Sequence, residues 1–114
     1  MKNVLLLLLN GFEVLEASAF VDVFGWNRMS GDNSTVLKTC GLQPVVTSAF
    51  GQHWEVDLLL NQVTVSDYSA LAIPGGFEEF GFYAEADHPE LSKLIQQFHA
   101  HKKPIATICT GALI

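Results

Sequence analysis

The chain has 114 residues, which bounds it to one domain or less. Hydrophobic residues make up 49% of it and include eight Phe and two Trp, so a core can form and a disordered segment is excluded. A net charge of −6 with only six Lys and Arg leaves no basic stripe for phosphates, which argues against nucleic acid and anionic membrane surfaces as partners.

Val4 to Leu9 is apolar at every position, the pattern of a central parallel strand covered on both faces. The run is too short for a signal peptide core or a bilayer span, and Asn10-Gly11 ends it without a small-residue cleavage site. A cytoplasmic protein is the resulting expectation. Val14, Ala17, Val21 and Phe24 then recur at helical spacing, which predicts a helix ending near Gly25 or Asn27. A loop over Ser30-Gly31-Asp32-Asn33-Ser34 leads to a second strand, Val36 to Cys40. Val45-Val46-Thr47 and Glu55 to Leu60 are strand-like with Gly51 between them, which predicts a short hairpin at a sheet edge.

Tyr68 to Ile73 reads as another buried strand, closed by Pro74-Gly75-Gly76, and Phe77 to Ala86 as a loop with room for a turn of helix. Leu91, Leu94, Ile95 and Phe98 mark one face of a helix, with Pro89 in its first turn and Asp87 or His88 as its cap. Ile105 to Ile108 is the last strand, and Thr110-Gly111-Ala112-Leu113 opens a further helix. Strands alternating with helices imply an α/β fold with a doubly wound, mainly parallel sheet. In such sheets ligands sit beyond the carboxyl ends of the strands, so Asn10 to Glu16, Pro74 to Phe77 and Cys109 to Gly111 become the candidate site segments.

Two cysteines, Cys40 and Cys109, make a poor disulfide framework, and no Cys or His spacing resembles a zinc site, so no metal is expected. A lone cysteine in an unplaced strand reads as a small buried hydrophobe, and Cys40 keeps that reading. Cys109 does not, because its strand runs directly into Thr110-Gly111 and must turn sharply into a helix. That junction exposes the sulfur at a helix start, where unpaired N–H groups favour a charged sulfur; it is the cysteine analogue of a strand-to-helix nucleophile elbow. Taken alone, Pro74-Gly75-Gly76 reads as a turn; beside Cys109, the amides of Gly76 and Thr110 form a candidate oxyanion hole. Glu16, one turn past the first strand among Val14, Leu15 and Ala17, is the candidate proton carrier. Glu13 competes for that role but reads more simply as a solvated acid at a helix start. Gly75 and Phe77 are the candidate substrate contacts. The loop from Phe77 to Tyr83 either lines the pocket or offers its aromatics to a dimer contact.

Three segments in this order resemble the ThiJ/PfpI superfamily, cysteine-containing relatives of the class I glutamine amidotransferases. They are Gly11-Phe12-Glu13-Val14-Leu15-Glu16-Ala17, Ala72-Ile73-Pro74-Gly75-Gly76 and Ala106-Thr107-Ile108-Cys109-Thr110-Gly111-Ala112. The resemblance implies a flavodoxin-like fold, usually a homodimer, with Glu16 as the family's characteristic acid, Cys109 as nucleophile, Gly76 and Thr110 as oxyanion donors, and no cofactor. Two departures narrow it: Thr110 stands where the protease branch has histidine, and Ile108 where the amidotransferases have glycine. What remains is the ThiJ-like branch, which implies a cofactor-independent glyoxalase or deglycase acting on small reactive carbonyl compounds. Other members are chaperone-like stress proteins or isonitrile hydratases.

The family places a histidine a strand and loop after the cysteine, which here would fall beyond Ile114. Among the histidines present, His99 and His101 lie at the opposite sheet edge, a strand of ~17 Å away. His53 falls in the hairpin, and His88 is explained as a helix cap. A helix opened at Thr110 and left unfinished leads to the expectation that residues 1–114 are the N-terminal part of one domain, with its C-terminal half as a missing partner. Three functions therefore stand side by side: a cysteine-dependent carbonyl enzyme, a redox or stress sensor using an oxidisable Cys109, and a ligand-sensing domain of a transcription regulator.

Overall fold

The apolar run at the start of the chain becomes the middle of the sheet. The computed structural model describes residues 2–114, in which β1 (Lys2–Leu7) pairs in parallel with β2 (Thr35–Gly41) on one side and β6 (Ala70–Ile73) on the other. Outside β2 lies β5 (Leu58–Leu59), and outside β6 lies β7 (Ile105–Thr107), giving the order β5-β2-β1-β6-β7 with every pairing parallel. Side chains alternate across β1. Leu5, Leu7 and Leu9 join Cys40, Leu71, Ile73, Phe82, Leu91, Leu94 and Phe98 on one face, while Leu6 and Leu8 join Phe12, Ala17, Val46 and Ala72 on the other. Both faces are buried, which is why no polar residue interrupts the run.

Helix α1 (Val14–Ser30) covers one face; α2 (Phe82–Ala86) and α3 (Pro89–Ala100) lie on the other. The expected stop of α1 near Gly25 or Asn27 is overrun, and the helix ends only where the Gly31 N–H bonds Asn27 O. Its inward face also differs from the expected one: Phe20 packs inward with Val14 and Ala17, whereas Val21 is exposed. In α3 the expected face is correct, and His88 caps it by accepting the Glu90 N–H at Nδ1.

A hairpin forms, but its second arm is His53–Glu55 rather than Glu55 to Leu60, and β3 (Val45–Thr47) and β4 (His53–Glu55) make a separate two-stranded sheet instead of an edge of the main one. The stretch expected as one strand from Glu55 to Leu60 is broken at Asp57, whose carboxylate accepts the Thr39 N–H at 2.9 Å. Only Leu58–Leu59 then enters the main sheet.

The chain leaves β1 toward β2 on one side and returns through β6 to β7 on the other. The gap between β1 and β6 is the switch point at which doubly wound sheets open a crevice.

Candidate functional site

The three segments beyond the strand ends are bonded to one another. Gly11, with φ of +80°, turns the chain after β1, and its carbonyl accepts the Phe77 N–H at 3.1 Å. Glu13 donates its backbone N–H to Gly75 O at 2.8 Å, and Gly75 donates its own N–H to Glu16 Oε1 at 2.8 Å. The first turn of α1 therefore grips both polar groups of Gly75 and fixes the Glu16 carboxylate over the end of β6. A Cβ on Gly75 would lie 2.8 Å from both Glu16 Oε1 and Thr110 Oγ1, so a side chain there would have to push these groups out of place.

Cys109 arrives from β7. Ile108 is extended and donates its N–H to Ile73 O at 3.2 Å; then Cys109 adopts φ of +52°, the left-handed region. A residue with a Cβ is disfavoured there by roughly 1–2 kcal/mol, a strain that structures retain mainly at functional turns. Gly111 completes the bend, since a Cβ at that position would run into the Ile73 carbonyl. The result is a sharp turn that leaves Cys109 exposed. Cys109–Leu113, expected from sequence to open an α-helix, form a 3₁₀ turn. Cys40 is the opposite case: it lies in the core, and burial pushes its thiol up to about 12.

Thr110 departs from expectation in its side chain. Its Oγ1 accepts the Gly76 N–H at 2.9 Å and donates to the Gly76 carbonyl at 2.9 Å. The Gly76 amide, expected to face a substrate oxygen, is thus capped by the threonine hydroxyl. Gly76 itself is wedged against Phe82 and Gly11 O, where a Cβ has no room.

Cys109, Glu16, Gly76, Thr110 and Phe77 line one cleft of about 270 Å³, with Gly75 buried against Glu16. Glu13, Glu78, Glu79 and Tyr83 complete the lining, which places the loop after Gly76 on the pocket. A cleft of this size suits a small molecule. Among the described residues, no group of three or more His, Cys, Asp and Glu is placed to hold a metal ion, and no helix is long and apolar enough to cross a membrane.

Sequence reasoning missed the brace behind this wall. Asn10, read as a strand breaker at the start of a candidate site segment, donates its backbone and side-chain N–H groups to Glu85 at 2.9 and 2.8 Å, and its Oδ1 accepts the Thr47 N–H. Gln43 adds a third donor to Glu85 at 2.7 Å. These partners lie far apart in sequence, so no local pattern announces them.

Comparison with known proteins bears on the family and the fold. The family model of the DJ-1/PfpI family matches residues 2–114. A deglycase of Pyrococcus abyssi is 28% identical over 104 residues, 89% of this chain and 61% of that protein. The crystal structure of Drosophila melanogaster DJ-1beta superposes with a TM-score of 0.82 at 22% identity, over 98% of this chain and 57% of its own. An AraC family transcriptional regulator from Pseudomonas putida superposes with a TM-score of 0.77 at 20% identity, over 98% of this chain and 67% of its own. The chain thus spans 61% of the matched deglycase and 57% of the matched Drosophila structure. With a family model covering residues 2–114, the chain belongs to the DJ-1/PfpI family.

Proposed function

We propose that this chain carries the nucleophile and acid of a cysteine-dependent enzyme acting on small reactive carbonyl compounds, of the glyoxalase or deglycase type. The observation that carries the reading is the left-handed, exposed Cys109 sharing a small cleft with Glu16. In the proposed step the Glu16 carboxylate takes the thiol proton and Sγ adds to the carbonyl carbon. The carbonyl electron pair moves to oxygen, and Glu16 returns the proton to that oxygen, leaving a hemithioacetal. Because Gly75 already occupies Oε1, the proton travels on Oε2. The substrate oxygen displaces Thr110 Oγ1 from the Gly76 N–H and takes its second hydrogen bond from the Thr110 amide. The 28% identical deglycase supports this substrate class. Turnover of methylglyoxal by the complete product of the gene tests it: Cys109→Ser is expected to abolish activity, and a fully active Cys109→Ser protein would sink the proposal.

The same cleft supports a ligand-sensing reading, favoured by the fold shared with the Pseudomonas putida regulator. Binding of a carbonyl ligand without its consumption separates that reading from the enzyme. The proposal also holds that the protein is a cytoplasmic homodimer. Leu15, Val23, Trp26 and Met29 follow one another along α1 with 78%, 65%, 61% and 76% of their surfaces exposed, a stripe suited to a second copy of the chain. A monomer by light scattering at micromolar concentration would contradict the dimer.

A further inference from the structure

Among the described residues, the charged groups lining the cleft are all of one sign: Glu13 and Glu16 stand on the α1 side and Glu78 and Glu79 on the loop after β6. The chain as a whole is also acidic, at −6. Two aromatic rings, Phe77 and Tyr83, belong to the same lining. Carboxylates around a concave site raise the local concentration of cations and lower that of anions, and aromatic faces attract a cation through their quadrupole.

We infer that the cleft selects its substrate by charge: it takes carbonyl compounds bearing an ammonium or quaternary ammonium group, and it turns away carboxylated or phosphorylated ones. This inference rests on the reading of Cys109 as the reactive group of the site and adds the recognition element, Glu78 and Glu79 with the Phe77 and Tyr83 rings. Glu16 is committed to Gly75 through Oε1, and the Glu13 backbone is committed to the same glycine. Glu78 and Glu79 have no such tie to the β-strand ends and are exposed on a 3₁₀ turn at the rim. They are therefore the residues to change in testing charge selection without dismantling the nucleophile's surroundings.

The test uses charge-bearing thiol reagents and needs no turnover. Trimethylammonioethyl and sulfonatoethyl methanethiosulfonate each form a mixed disulfide with Cys109 and release methanesulfinate; buried Cys40 stays unmodified, so Cys109 is read alone. Rates are divided by those of 2-mercaptoethanol with the same reagents. The expected cation-to-anion ratio at low salt is about ten or more, falling toward one at about 1 M salt as screening sets in. Glu78→Gln/Glu79→Gln should reduce the low-salt ratio severalfold, whereas Asp22→Asn/Glu55→Gln, which removes the same charge from residues outside the cleft lining, should change it less.

A normalised ratio near one in the unaltered chain would overturn the inference, as would no labelling of Cys109 at all. Equal losses from the rim pair and the control pair would also overturn it, because they would assign the effect to net charge. If the rim variant fails to fold, the salt series on the unaltered chain decides: a ratio that ignores salt contradicts the inference. The two readings fail separately. Charge-selective labelling of Cys109 together with a Cys109→Ser protein that still turns over removes Cys109 as the nucleophile and keeps the recognition; Cys109-dependent turnover with a ratio of one does the reverse.

Discussion

Gly75 gives its amide hydrogen to Glu16 Oε1 at 2.8 Å, and 59 positions of sequence separate the two. Through this bond a carboxylate that could wave on the first turn of α1 is fixed over the end of β6. It also satisfies a donor that burial would otherwise strand. Glu16→Gln keeps an oxygen for Gly75 and is expected to change stability by under about 1 kcal/mol, whereas Glu16→Ala strands the amide and should destabilise by about 1–3 kcal/mol. Urea unfolding of the pair checks this; equal losses would mean that the bond does not position Glu16.

Glycines in this chain divide into those that are hemmed in and those that are free. Gly111→Ala would press a methyl onto the Ile73 carbonyl and should lose about 1–3 kcal/mol. Gly25, inside α1 with nothing within 4 Å of a built Cβ, should gain about 0.4–1 kcal/mol as Gly25→Ala. Opposite signs in thermal unfolding are the expected result.

The left-handed backbone of Cys109 makes a prediction about strain. Cys109→Gly should be more stable than Cys109→Ala by up to about 1 kcal/mol, although glycine is ordinarily the worse residue for an ordered chain. A more stable alanine variant would mean that the turn is relaxed with a side chain in place.

Cys40 sets an alkaline limit. Its thiol is raised from an ordinary 9.0 to about 12 by burial, so the folded chain keeps a proton that the unfolded chain releases. Stability from this group is complete below pH 9 and is lost as pH rises from 9 toward 12, by about 1.4 kcal/mol per unit at most. Cys40→Ala should unfold with a shallower pH dependence across that window, as measured by denaturant midpoints. Identical slopes would contradict the assignment.

Much of this was legible from residue types. The apolar run of β1, the α3 face at Leu91, Leu94 and Phe98, and the glycines after β6 and β7 each declare a local requirement of backbone or burial. Together they located the cleft. What stayed hidden depends on partners distant in the chain: Thr110 folding its hydroxyl onto Gly76, Asn10 bracing Glu85, and Asp57 claiming Thr39 and splitting a strand in two. The length of α1 was misread because Gly25 lies on open surface, where a helix tolerates it.

The most direct measurement is peptide mapping after brief iodoacetamide treatment of the native chain at neutral pH, with and without methylglyoxal. The account predicts alkylation at Cys109 alone, slowed when methylglyoxal occupies the sulfur. Labelling of Cys40 at a comparable rate, or an unreactive Cys109, would contradict it.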